Sequence, residues 1–253
     1  MLEAILQKYE KNIYGIIQVG AHIGQQVETF LELKNVDIHL FEPQKEPLED
    51  LKKFKSHSNI FIHEFGLGNT NDKLTLYISD KKKGVSSSIL KPKLHSKYFP
   101  EVNFNNHDEV EIRKFSDLEN INGNFLMLDV QGYELEVLKG FENKIFNLDF
   151  IYSEISIKEF YEENTLVKDL DLFLSSRGFT RTKTLLYSNV PMGDALYLNN
   201  KNLTKLNIFY YNLKSKFQIT KLYRILNFFR NRKKAIFSMK KYLKRFLSIF
   251  NKF

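Results

Sequence analysis

Strands alternating with helices over residues 14–199 predict an α/β fold, a mainly parallel sheet covered by helices on both faces. Three observations carry that prediction. Apolar runs of strand type, such as IIQV at 16–19, IHLF at 38–41 and FLML at 125–128, are separated by stretches with helical spacing. Small-residue turns, Gly20-Ala21-His22-Ile23-Gly24 and Gly66-Leu67-Gly68, interrupt the chain after two of the strands. Gly20–Gly24, Glu42, Gly66–Gly68 and Asp129 all fall just past strand ends, the edge at which parallel sheets bind ligands.

In chain order, a short amphipathic helix over about 2–11 precedes a strand at Tyr14–Val19. The helix after the glycine turn carries Val27, Phe30, Leu31 and Leu33 as its apolar positions. A strand at Asp37–Phe41 ends at Glu42-Pro43, and Pro47 suits the first turn of a helix over 47–55. Strand Ile60–Phe65 breaks at Gly66, and LTLYI at 74–78 alternates as a half-exposed strand does. The polar stretch 80–108, with Lys81-Lys82-Lys83-Gly84 and Ser86-Ser87-Ser88, reads as a long functional loop. A strand near 109–114 leads to Ser116-Asp117, a helix cap by residue type. Phe125–Val130 is a buried-type strand, Tyr133–Lys139 a helix stopped by Gly140, and Asp149–Ile155 a further strand. A helix at Leu166–Arg177 stops at Gly178, and strand-like runs at 179–186 and 195–199 close a domain spanning 1–200.

The charge is unevenly placed. Residues 1–200 hold 23 Lys/Arg against 30 Asp/Glu, whereas 201–253 hold 15 Lys/Arg and no acid. An acidic body therefore carries a basic tail as a second unit. The absence of cysteine excludes disulfides and thiolate chemistry and fits a reducing compartment. Residues 1–15 contain Glu3 and Glu10 and lack the apolar core of a signal peptide. No uncharged apolar run approaches the roughly 18 residues that span a bilayer, so a cytoplasmic protein is expected.

The opening turn suggests an adenosine-type ligand. Glycines let the backbone approach a ligand closely, and the acid at the end of the second strand can accept from both hydroxyls of a ribose. A nicotinamide dinucleotide calls for G-x-G-x-x-G to hold its pyrophosphate; here Gln25, Gln26 and Val27 follow Gly24 and there is no third glycine. S-adenosylmethionine, which has no phosphate, fits better. Five segments, IIQVGAHIGQQVETF, HLFEP, FLMLDVQGYELEVLKG, IYSEISIKEFY and GDALYL, together resemble the FkbM-type S-adenosylmethionine-dependent methyltransferases, over about residues 13–199. The resemblance implies a Rossmann-like class I methyltransferase fold whose seven-stranded sheet has an antiparallel last strand. It also implies O-methylation, often of a sugar or another hydroxylated small molecule. Two residues depart from the family pattern: Gln18 where an acid is usual, and Gln131 where glutamate is frequent. The first is expected to weaken contact with the cofactor's amino group, the second to alter the reaction centre.

Gly20, Ala21, His22 and Gly24 are assigned to the methionine end of the cofactor, His22 through its backbone, and Glu42 to the ribose. Gly66 and Leu67 are expected to pass under the adenine by backbone contact. Asp129 faces the sulfonium or the acceptor, where it could attract positive charge, take a proton or help hold a divalent cation. It could equally cap the helix that starts near Tyr133. Glu154, on the same edge, is the second candidate for proton removal, with a structural ion pair as the alternative. Gln131, Tyr133, His95 and Tyr161 are placed at the acceptor, with His107 and Glu159 as further candidates; a solvated loop histidine is the simpler reading of His95 and His107. No ligand spacing is diagnostic of a metal.

From Phe217 onward, Ile219, Leu222, Tyr223 and Leu226, then Ile236, Met239, Leu243, Phe246 and Phe250, fall at helical spacing with cations on the other face. Such a helix over 217–250 suits an anionic membrane surface; packing on the acidic body or on a second subunit, and binding to nucleic acid, are the other readings. The leading function is thus methylation of a sugar hydroxyl in a cell-surface glycan or lipid-linked saccharide at the membrane face. The alternatives are a small-molecule methyltransferase, a nucleic-acid methyltransferase anchored by the tail, and a non-catalytic relative.

Overall fold

A computed structural model describes residues 1–188 and 190–217, the side chains of Lys216 and Phe217 excepted. The elements in chain order are α1 (Leu2–Tyr9), β1 (Gly15–Val19), α2 (Val27–Leu31), β2 (Asp37–Phe41), α3 (Lys45–Leu51), β3 (Ile60–His63), β4 (Gly66–Leu67), β5 (Asp72–Ile78), α4 (His95–Tyr98), β6 (Asn106–Arg113), β7 (Phe125–Leu128), α5 (Glu134–Gly140), β8 (Phe150–Ser156), α6 (Val167–Ser175), β9 (Phe179–Leu186), β10 (Met192–Asn199) and α7 (Lys205–Phe217). Seven strands form one sheet in the order β3-β2-β1-β7-β8-β10-β9. Neighbours from β3 to β8 run parallel, and β10 runs antiparallel to both β8 and β9. The sheet and its antiparallel last strand are as the sequence implied.

Period-2 alternation explains the two layers. Ile16 faces α1, α2 and α3 with Ile38, Leu40 and Met127, while Ile17 and Val19 face α5 and α6 with Leu126, Leu128 and Ile151. Val27 and Phe30 of α2 are wholly buried, as are Val137 and Leu138 of α5, so each helix contributes one apolar stripe. Gly140 ends α5 instead of following it, and a Cβ there would lie 1.8 Å from the Gly68 carbonyl oxygen. Close approach, not helix termination, requires that glycine.

Between β3 and β7 the chain adds a small sheet in the order β4-β6-β5, with β5 and β6 antiparallel. Three predictions are corrected here. Ser116-Asp117 caps no α-helix: Phe115–Asp117 is a single 3₁₀ turn, and Asp117 accepts from Asn71 instead. The helix predicted over 47–55 is α only to Leu51 and continues as 3₁₀ over Lys52–Ser56. The stretch read as a loop over 80–108 includes α4 and the start of β6.

The tail's first turns are described and the rest is not. Helix α7 packs on β9, where Arg181 donates to the Ser215 carbonyl while also holding Asp171 at 2.9 and 3.0 Å. Leu206, Phe209, Tyr210 and Leu213 of α7 remain exposed at i, i+3, i+4 and i+7. The segment 217–250 assigned to a membrane surface lies, from residue 218 on, outside the described residues. Among the described residues no helix is long and apolar enough to cross a membrane.

One packing detail predicts a pH response. His39 of β2 and His63 of β3 share a 3.1 Å ring-nitrogen contact, and both stack on phenylalanines, Phe61 and Phe41 respectively. Burial lowers the pKa of both, His63 to about 4. A neutral His63 therefore contributes stability that is intact above the unfolded value near 6.5 and lost as pH falls from there through about 4. Relative to the chain carrying His63→Phe, the wild type should lose about 3–6 °C of Tm between pH 7 and pH 4, a modest figure because the ring is partly exposed. Parallel melting curves of the two proteins over that range would refute the role.

Candidate functional site

The glycine turn is built by backbone bonds. Gly20 and Ala21 N–H groups both donate to the Phe41 carbonyl, which ties the end of β1 to the end of β2. Gly20 has φ +80°, and a Cβ there would sit 1.9 Å from the Asp129 carbonyl oxygen, so only glycine fits. The His22 N–H donates to Glu42 Oε2 and the Gln44 N–H to Glu42 Oε1, each at 2.8 Å. Glu42 is thereby held at the cleft floor, 2% exposed, and burial raises its pKa against the opposing pull of those two N–H groups. Each carboxylate oxygen keeps a second acceptor site for a ligand hydroxyl.

His22 plays a side-chain part that its place in the turn did not suggest. The Lys83 carbonyl can only accept, so His22 Nε2 carries a hydrogen toward it, and Nδ1 faces the Gln25 amide at 2.8 Å. The ring fastens the 80–90 segment over the turn, helped by the Lys83–Asp50 ion pair at 2.7 Å. Gly84, Val85, Ser87, Ser88 and Ile89 then form one wall of a cleft whose other walls include Gly20, His22, Glu42, Gly66, Leu67, Asp129, Gln131 and Tyr133. Eight residues selected from the sequence thus meet in one cleft. Ala21 is fully buried behind the turn and Gly24 packs toward Phe54 and Leu51, so neither lines it.

Beyond β7 the chain turns through Gln131 and Gly132, with φ of 52° and 102°. Gln131 Nε2 donates to Asp129 Oδ1 at 2.8 Å and to Glu154 Oε2 at 3.1 Å. Burial raises the pKa of Asp129 and takes Glu154 well up, with neighbouring carboxylates adding to the Glu154 effect. Glu134, which accepts from the Gly132 N–H at 3.0 Å, is pushed up to about 7, chiefly by burial. Asp194 of β10 pairs in register with Glu154 of β8 and accepts from the Tyr187 hydroxyl at 2.8 Å. Asp194 lies in the GDALYL segment, and the antiparallel pairing of β10 with β8 sets it beside Glu154.

The remaining candidates fall elsewhere. His95 is 3% exposed and packed among Phe99, Phe104 and Tyr161, away from the cleft; burial among these aromatics decides that. His107 is exposed on β6, and Glu159 forms a surface ion pair with Lys93. Tyr161 is buried and reaches the site only through its hydroxyl, on Gln131 Oε1 and the Ser86 carbonyl. Among the described residues no group of three or more His, Asp or Glu side chains is placed to hold a metal ion.

One polar atom next to the glycine turn is left unpaired. Gln18, 1% exposed beside the glycine turn, donates to Gln26 while its Oε1 has no partner within the protein. A buried acceptor left unpaired costs about 1–3 kcal/mol.

The family described as the methyltransferase FkbM domain matches residues 18–180. The 2-O-methyltransferase NoeI of Sinorhizobium fredii (strain NBRC 101917 / NGR234) is 27% identical over 177 residues, 62% of this chain and 70% of that protein. The crystal structure of methyltransferase FkbM from Methylobacillus flagellatus KT superposes with a TM-score of 0.50 at 16% identity, covering 73% of this chain. The match spans 43% of that longer chain, and at this identity it speaks to the fold. The chain belongs to the FkbM family of S-adenosylmethionine-dependent methyltransferases.

Proposed function

We propose that the protein methylates a hydroxyl of a sugar in a cell-surface glycan or lipid-linked saccharide, with Asp129 and Glu154 taking the hydroxyl proton. The observation that carries this reading is the carboxylate pair: two half-buried acids beside the cofactor cleft, bridged by an amide, with no Lys or Arg among the groups that shift them. Their raised pKa values bring them nearer the working pH, where a general base is most effective. The NoeI relative is a 2-O-methyltransferase, which supports a hydroxyl acceptor.

In this reading Glu42 holds the ribose, Gly20 and His22 line the methionine end, and Gly66 and Leu67 lie under the adenine. S-adenosylmethionine, when bound, supplies a methyl group on positively charged sulfur. Asp129 and Glu154 provide negative charge on the acceptor side and accept the proton as the hydroxyl oxygen becomes nucleophilic. The 84–89 wall excludes water from the reacting atoms.

The basic tail supports a location at the inner membrane face, since residues 201–253 hold 15 cations and no acid. The exposed apolar positions of α7 lead into that segment. The test is methyl transfer from labelled S-adenosylmethionine to an envelope carbohydrate fraction, run with sedimentation on phosphatidylglycerol vesicles. Label on saccharide and salt-sensitive pelleting are expected. Label only on nucleic acid or only on pathway-type small molecules sinks the saccharide reading, and failure to pellet at low salt sinks the membrane one.

A further inference from the structure

The turn after β7 contains an arrangement that goes one step past the two acids. Gln131 is a non-glycine residue in the left-handed region, a backbone state that persists when surrounding structure holds it. Both ends of its side chain are tied, and its carbonyl accepts from the Ser88 hydroxyl at 2.8 Å. Its amide nitrogen serves two carboxylates at once, and its amide oxygen lies 3.0 Å from the Tyr161 hydroxyl, whose single hydrogen is shared with the Ser86 carbonyl at 2.8 Å. Turned the other way, the amide would set an oxygen against two carboxylates, which disfavours that orientation while they are ionised. A glutamate in its place, the residue frequent in the family, could not donate to either acid while ionised.

We propose that Gln131, oriented by Tyr161, is a positioning residue that holds the Asp129 and Glu154 carboxylates as one proton-accepting unit. The inference rests on the methyl-transfer reading only for what that unit does; the bridging itself is separate. The groups facing the pair from the surrounding elements are Glu134 of α5, Asp194 of β10, Tyr152 of β8, Tyr161, Tyr187 and His22. All the acids among them oppose ionisation of the pair, whereas the Gln131 amide favours it. Removing the amide therefore raises both carboxyl pKa values, and the acidic limb of the rate profile moves to higher pH.

The test uses the full chain with Gln131→Met, Gln131→Glu and Tyr161→Phe. Carbon-13 carboxyl titration is followed without acceptor, and the pH profile of methyl transfer is measured on whatever acceptor the carbohydrate assay identifies. In Q131M both carboxyls should titrate about one pH unit higher, and kcat below the limb should fall about tenfold. Q131E should shift them further, and Y161F less, in the same direction. Unchanged titration of Asp129 and Glu154 in Q131M overturns the proposal, as does a kcat loss that is uniform across pH. If Q131M does not fold, Y161F decides by the same titration. If no acceptor is methylated, the functional reading fails while the titration still judges the bridge.

Discussion

Glu42→Ala is expected to weaken S-adenosylmethionine binding at least 100-fold by isothermal calorimetry. The carboxylate is buried at the cleft floor with two backbone N–H donors, one on each oxygen. Its remaining lone pairs offer the ribose two charge-assisted hydrogen bonds, each worth about 1.5–3 kcal/mol. Losing both gives a factor of 10² or more at 1.4 kcal/mol per tenfold change. The alanine also leaves the His22 and Gln44 N–H groups without an acceptor, which loosens the turn that carries the methionine end. Glu42→Gln keeps one acceptor oxygen and should fall between the two. Affinity within threefold of wild type in the alanine variant would remove Glu42 from the cofactor site.

Glu154→Gln should lower kcat by about 10²–10⁴-fold, the usual contribution of a positioned general base, while leaving cofactor affinity nearly intact. Glu154 lies on β8, one strand beyond β7, whose end Asp129 follows, on the side of the cleft away from the glycine turn. The isosteric amide keeps the size of the side chain and removes the proton acceptor. Asp129→Asn should show a comparable kcat loss together with weaker cofactor binding, because Asp129 lines the cofactor cleft and Glu154 does not. A Glu154→Gln enzyme with kcat within threefold of wild type would assign proton removal elsewhere, Asp194 being the next carboxylate.

Much of this site was legible because its parts are local. Gly20 and Glu42 follow strands whose apolar runs are plain in one dimension, and their positions depend only on where β1 and β2 end. Asp129 closes the run FLML in the same way. His95 was misplaced because its neighbours Phe99, Phe104 and Tyr161 convert a polar-looking stretch into an aromatic cluster. Asp194 was overlooked because its alignment with Glu154 depends on the antiparallel return of β10 beside β8.

The sequence by itself determined the α/β layering, the glycine turn, the acid that follows β2 and the family, since strand period, turn chemistry and segment order are properties of near neighbours. Only the tertiary structure decided that His22 latches Lys83 over the cleft, and that Tyr161 acts from a buried position. The same holds for Gln131 joining Asp129 to Glu154. Those contacts join residues up to 61 positions apart, and the direction of a hydrogen bond is set by register and burial, which no local pattern encodes.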